Sequence, residues 1–401
     1  MVERSEPTVD DALLADARRV QPTVVEVRRR IHRHPELGLE LPRTQAVVLE
    51  ALDGLGLDVS VGEQTTSVVA VLDGVRPGPT TLLRGDMDGL PLVEDTDLEF
   101  SSEVEGAMHA CGHDAHVAML IGAAHLLVDR RHELAGRVVL MFQPGEEWGG
   151  GAQVMLEEGL LERHGAIDRA FAIHMAPMVP SGWIATRGGT LMASADEFRI
   201  TVTGRGGHAS MPHDALDPVP VACEIVTALQ TMATRRLPIF DPGVVTVGRI
   251  AAGTAANVIP ETAELDVTVR TVSESTRLLA LEGLGQVVAG VASAHGCEVR
   301  IDPMGVAYPV TINDEGAARR AVDIAKGLFG PERVVVMPSP VMGAEDWSFI
   351  LQRVAGSMAF LGASPPGVTE PAPNHSNRMV IDEPAMATGV ALHAAMALQT
   401  V

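Results

Sequence analysis

The sequence predicts an α/β fold built as two domains, a large α/β domain interrupted by a smaller α+β insertion. Three observations predict it. A chain of 401 residues exceeds what one small core organises and suggests two domains. Its first third alternates helical and strand periodicities, as strands covered by helices do. Its middle follows the β-α-β-β-α-β order of a split ferredoxin-like arrangement.

Asp11 to His34 and Arg43 to Leu55 read as amphipathic helices. Val68 to Leu72 and Thr80 to Leu83 read as strands, and a helix follows from about His116 to Val128. Val138 to Phe142 is a strand, Ala152 to Glu158 a short helix and Ala170 to Ile173 another strand. From Glu197 to Thr203 polar and apolar residues alternate with period two, the mark of a half-exposed antiparallel strand. A helix near Pro218 to Arg235, strands Val244 to Ile250 and Glu264 to Thr271, a helix Ser275 to Ala294 and a strand Cys297 to Ile301 complete the insertion. After about Tyr308 come helices Glu315–Leu328, Glu345–Val354 and Glu383–Leu398 around a strand Ala359–Gly362. The large domain is thus expected at 1–189 and 308–401 and the insertion at 190–307. No internal repeat or low-complexity tract interrupts this order.

Composition excludes several functions. A hydrophobic share of 46% with 20% charged residues argues for a packed globular protein rather than a disordered one. A net charge of −22 makes nucleic acid and anionic membrane surfaces poor partners. No apolar run reads as long enough to span a membrane, and Met1 to Glu6 lacks the basic-then-apolar order of a signal peptide. Cys111, Cys223 and Cys297 are odd in number and far apart, which fits a reducing cytoplasm without structural disulfides. Lys326 is the only lysine and lies in an amphipathic helix. Schiff-base chemistry and lysine-bearing phosphate loops are therefore unavailable.

The most informative stretch is Met108-His-Ala-Cys-Gly-His-Asp-Ala-His116. Cys111 and His113 sit in a turn-like segment that opens an apolar helix. Phe142-Gln-Pro-Gly-Glu-Glu-Trp148 ends a strand with the adjacent carboxylates Glu146 and Glu147. Soft sulfur, borderline nitrogen and hard oxygen donors in one chain suggest a transition-metal site. Asp86 and Asp88 follow another strand and project to the same side of extended backbone. His174 follows a third strand, and His375 precedes the last helix. Each has a plainer reading: turn or cap residues for the aspartates, first-turn helix acids for the glutamates, a hydrogen-bonded histidine for His174, a small buried hydrophobe for Cys111. Their joint occurrence beyond successive strand ends, where open α/β sheets gather their sites, favours chemistry.

Eight motifs occur in order along nearly the whole chain. They are Arg29-Arg-Ile-His-Arg-His-Pro-Glu-Leu-Gly38, Arg84-Gly-Asp-Met-Asp-Gly-Leu-Pro91, Met108–His116, Phe142–Glu147, Gly204-Arg-Gly-Gly-His-Ala-Ser210, Asn257-Val-Ile-Pro260, Met342-Gly-Ala-Glu-Asp346 and His375-Ser376. In this the chain resembles the M20 metallopeptidase/amidohydrolase family, in the branch of N-acyl-amino-acid amidohydrolases that includes hippurate hydrolases and plant auxin-conjugate hydrolases. The resemblance implies a large zinc-peptidase-like α/β catalytic domain with an inserted ferredoxin-like α+β domain that serves as dimerisation surface and lid. It implies metal ligands Cys111, His113, Glu147, His174 and His375, and two divalent ions per subunit, manganese or zinc, with cobalt or nickel as possible substitutes.

The resemblance also implies the roles. Glu146 takes the proton of the attacking water and passes it to the leaving amine. Asp88 orients a ligand histidine, His113, by accepting its ring N–H. His208 reaches across a homodimer and donates to the amide oxygen as it gains negative charge. Asn257 and Arg270 hold the substrate's free carboxylate. The substrate is a small N-acyl amino acid; a metallo-dipeptidase or aminopeptidase of the same fold is the alternative. His109, His116, Glu345 and Asp346 are read as packing or supporting residues. His32, His125, His132, His164, His213, His295 and His393 are read as ordinary surface or half-buried histidines.

Overall fold

The computed structural model describes residues 9–399; the stretch read for a signal peptide lies outside them. Contacts divide the chain into two units. The larger comprises Met1–Leu191, Ile312–Ser339 and Asp346–Val401, and the smaller comprises Met192–Thr311 and Pro340–Glu345. The short return at Pro340–Glu345 is tied to the smaller unit by a bridge between Met192 and Val341.

An eight-stranded mixed sheet forms the larger unit. Its order is Asp58–Val61, Val68–Asp73, Ala135–Gln143, Arg76–Asp86, Arg169–Pro180, Gly356–Ser364, Ile184–Thr186 and Val334–Val336. The four strands from Ala135–Gln143 to Gly356–Ser364 run parallel. They are buried through their centres, as continuous apolar runs such as Val138–Phe142 and Ala170–Ile173 require. Helix His113–Asp129 is buried almost all round, between Val9–His32 and Met386–Leu398. Gly122 permits the approach: a Cβ there would lie 2.7 Å from a Val24 methyl and 2.8 Å from a Val390 methyl.

Four antiparallel strands make the sheet of the smaller unit, in the order Gly243–Ala252, Thr262–Thr271, Asp196–Thr203 and Glu298–Pro303. Helices Pro218–Arg236 and Glu274–His295 pack on it around Ile200, Ile225, Leu229, Leu265, Val267 and Leu284. Side chains cap both helices: Asp217 accepts the Val219 N–H and Ser273 the Thr276 N–H. Helix Glu274–His295 has a length and composition that would let it cross a membrane, as the packed core helices of globular proteins also can. Its Ala280, Gly283, Leu284, Val288 and Ala292 are buried.

Several element boundaries differ from expectation. The helix after the cysteine starts at His113 rather than about His116. The helix expected at Glu345–Val354 is only Trp347–Leu351, and Glu383–Ala385 is a 3-10 turn before Met386–Leu398. Strands Asp58–Val61, Ile184–Thr186 and Val334–Val336 were not foreseen.

Candidate metal centre

Chain direction places the chemistry. Strands Arg76–Asp86, Ala135–Gln143 and Arg169–Pro180 run parallel, so the residues at and beyond Asp86, those after Gln143, and His174 lie toward one edge of the sheet. Cys111 and His113 are brought there by the amino end of helix His113–Asp129. Between them Gly112 takes φ +87°, and a Cβ on it would lie 3.0 Å from that of Met175. Only glycine meets both demands cheaply.

His113 Nδ1 lies 2.9 Å from the main-chain oxygen of Asp88, and His174 Nδ1 lies 2.8 Å from that of Met175. A carbonyl oxygen only accepts, so each ring carries a proton on Nδ1 and leaves Nε2 as the atom that could bind a metal. His174 Nε2 faces Cys111 Sγ at 3.4 Å. His113 Nε2 lies 3.3 Å from Asp86 Oδ2 and 3.9 Å from both Glu146 Oε2 and Glu147 Oε1. His375 stands in the left-handed region at φ 66°, anchored by its N–H to Ala110 O at 2.8 Å. Its Nε2 is 3.3 Å from Glu147 Oε1.

Donor atoms of Cys111, His113 and His174 lie within 4.8 Å of one another, as do those of Cys111, Glu147 and His375 and those of His113, Glu146 and Glu147. The first two groups share Cys111. The residues fit bound cations on two counts. Among the described residues, His113 Nε2 and Glu147 Oε1 are buried without a hydrogen-bond partner, a costly state unless an ion completes them. The surroundings also favour positive charge: hydrogen bonds to Cys111 and Glu147 push the His375 imidazole up to about 10. Thiol, imidazole and carboxylate together suit a transition metal.

Asp88 is used differently from the sequence expectation. The His113 ring N–H goes to its main-chain oxygen, and the nearer carboxylate oxygen is 3.4 Å from that nitrogen. The carboxylate instead accepts the N–H groups of Glu146, at 2.9 Å, and Glu147, at 3.0 Å. After the turn at Gly145, φ 71°, those two amides point the same way and match the two oxygens. Glu146 is 5% exposed, and its Oε1 lies 3.4 Å from the Asp346 N–H.

A buried layer behind the donors contains His116 and Asp346, read as packing or supporting residues, together with Arg84 and Asp86, to which the sequence reading gave no settled role. Asp86 Oδ1 meets His116 Nδ1 at 2.5 Å, while His116 Nε2 accepts the Met175 N–H at 2.8 Å. Arg84 lies 2.7 Å from Asp86 Oδ2 and 3.1 Å from Asp346 Oδ1. Burial opposes the charge on Asp86, but Arg84, His113 and His116 outweigh it and hold the carboxyl well below the usual range. The available signal was an arginine at the end of an apolar strand, Arg84, which needs a buried partner. His32 departs from its reading as an ordinary histidine. It is 1% exposed, with Nδ1 2.8 Å from Asp114 and Nε2 3.2 Å from Glu94. His393 is fully buried too.

His208, Asn257 and Arg270 belong to the smaller unit. His208 and Asn257 share a two-stranded ribbon in which His208 pairs with Val258 and Ala209 N–H donates to Asn257 O. Both side chains are exposed. Ser210 N–H donates to His208 Nδ1 at 3.1 Å, which leaves the ring proton on Nε2. Arg270 lies on strand Thr262–Thr271, 4.0 Å from Glu197.

A parallel-centred sheet with imidazole, thiol and carboxylate donors gathered at one edge is the framework of a metal-dependent hydrolase. The model of Peptidase family M20/M25/M40 matches residues 82–399, and the chain belongs to that family. It is 38% identical over 392 residues to thermostable carboxypeptidase 1 of Saccharolobus solfataricus, covering 97% of this chain and 98% of the relative. It is 38% identical to IAA-amino acid hydrolase ILR1-like 2 of Arabidopsis thaliana, covering 94% and 84%. With N-acetylcysteine deacetylase of Bacillus subtilis it shares 36% identity over 85% of this chain and 88% of the relative. Among solved structures, the YXEP protein of Bacillus subtilis, described as a dinuclear metal-binding peptidase of the M20 family, superposes with a TM-score of 0.80. That match has 32% identity and covers 95% of this chain and 98% of the other.

Proposed function

We propose that this chain is a metal-dependent amidohydrolase that splits N-acyl amino acids into a carboxylic acid and a free amino acid. The observation that carries the reading is that the donors of Cys111, His113 and His174 and those of Cys111, Glu147 and His375 form two groups sharing Cys111, with the buried carboxylate of Glu146 grouped beside His113 and Glu147. Relatives named for hydrolysis of IAA-amino acids and deacetylation of N-acetylcysteine support the substrate class.

The five converging residues hold the cation, in our reading two divalent ions, manganese or zinc, with cobalt or nickel able to substitute. A divalent ion at such donors lowers the pKa of water toward about 7 and polarises a carbonyl oxygen. Glu146 then accepts the proton of the attacking water and delivers it to the departing nitrogen, so water is divided between the acyl carbon and the amine. Asp88 holds the Glu146–Glu147 turn through its two amide N–H groups. His208, with its proton on Nε2, donates to the amide oxygen as that oxygen becomes negative. Asn257 and Arg270 bind the free carboxylate of the amino acid. The smaller unit pairs two copies into a homodimer. All three cysteines are free, which supports a cytoplasmic setting.

The test is an assay on N-acetyl and N-benzoyl amino acids after complete chelation and after reloading with manganese or zinc. Activity that persists without metal rejects the proposal. Dipeptides with blocked and free amino groups, run in parallel, separate it from the dipeptidase alternative, which must recognise the free amine.

A further inference from the structure

We propose that the cavity at the opposite, amino-terminal edge of the large sheet binds a small organic carboxylate between the guanidinium groups of Arg169 and Arg320. The cavity measures about 360 Å³. Thr81, Arg169 and Ala355 line it at or just before the starts of the parallel pairings. Arg169 is five residues before His174 on one strand, or about 16 Å at 3.3 Å per residue. The cavity is therefore separate from the metal centre.

Arg169 and Arg320 are short of partners. Arg169 Nε donates to Thr81 Oγ1 at 2.8 Å, and its NH1 group reaches Gln399 O at 3.4 Å. Arg320 NH2 donates to the main-chain oxygens of Met396, at 2.8 Å, and Gln399. Among the described residues, Arg169 NH2 and Arg320 Nε are buried with no hydrogen-bond partner. Among the described residues neither arginine forms an ion pair. Arg28, Arg130 and Arg277, which are also withdrawn from solvent, have carboxylates: Asp114 at 2.9 Å, Asp16 at 2.7 Å and Asp196 at 2.8 Å respectively. Burial and the neighbouring cation push Arg320 down to about 10, as expected of facing like charges.

An anion between the forks would satisfy both. The lining selects its class. Asp168 and Asp314 border the same cavity and disfavour a dianion. Ala170, Phe171 and Met396 border it as well, and suit an apolar body attached to a single carboxylate.

The experiment uses the metal-loaded full chain and 4-bromobenzoate. Crystals soaked in it should show an anomalous bromine peak in this cavity, and calorimetry should show binding weakened about tenfold or more by Arg169→Gln and by Arg320→Gln. Hydrolytic activity in both variants, which lie outside the catalytic machinery, serves as the control for folding. A peak only at the metal centre, an isotherm unchanged in both variants, or equally tight binding of inorganic sulfate overturns the proposal. These readouts do not depend on which amide the enzyme cleaves.

Discussion

Asp88 and Glu146 are joined through the main chain: one carboxylate oxygen of Asp88 accepts the Glu146 N–H at 2.9 Å, and the other accepts the Glu147 N–H at 3.0 Å. One side chain thus sets the position of both glutamates, while its carbonyl oxygen fixes the His113 ring. Asp88→Asn keeps the size but turns one acceptor into a donor that faces an N–H. Turnover or metal affinity should fall by about 10- to 100-fold. Kinetics together with elemental analysis of the same sample checks this; unchanged values in both would remove Asp88 from the centre.

Glu146 and Glu147 both group with His113, but only Glu147 also groups with Cys111 and His375. Glu146→Gln should lower turnover by roughly a hundredfold or more while metal content stays the same. A variant that loses its metal instead would make Glu146 a ligand rather than the base.

Cys111 is common to two donor groups, whereas His174 and His375 each belong to one. With two ions held as proposed, Cys111→Ala should therefore deplete both, and His174→Ala and His375→Ala should deplete them unequally. Elemental analysis after gel filtration decides this. Equal retention of metal in all three variants would contradict the shared role.

Gly122 lies where helix His113–Asp129 meets two buried valines. Alanine normally favours a helix over glycine, yet here its methyl would overlap the Val24 and Val390 methyls. We expect Gly122→Ala to destabilise the fold by about 1–3 kcal/mol, read from urea unfolding. A gain in stability would mean that the helices can separate freely.

Burial holds the His393 imidazole down to about 3, against an ordinary value of 6.5. Below about pH 6.5 the unfolded chain takes up a proton that the folded chain refuses. Stability from this group is therefore present above that pH and lost as pH falls toward 3, by at most about 1.4 kcal/mol per unit. His393→Leu should melt with a shallower loss between about pH 6 and pH 4. Parallel melting profiles would rule out this contribution.

The legible parts of the fold are those with a long period or an ordered motif. Helix Glu315–Phe329 and strand Asp196–Thr203 carry clear amphipathic patterns. The three-residue strands Ile184–Thr186 and Val334–Val336 are too short to show any period, and Asp58–Val61 is exposed throughout. At the site, donor identity is legible because a thiol and an imidazole two residues apart are unusual. Arg84 and Asp346 are far apart in sequence, so their pairing was hidden until the chain folded. The use of Asp88 was hidden for another reason: main-chain amides leave no trace in residue identity.

His375 reaches the centre from the far end of the chain and is held by an N–H to Ala110. During synthesis the other donors emerge long before it does, so a half-made molecule has an incomplete cage. On the proposed function, the donor group that includes His375 is complete only once the last segment has docked, whereas the group of Cys111, His113 and His174 does not wait for it.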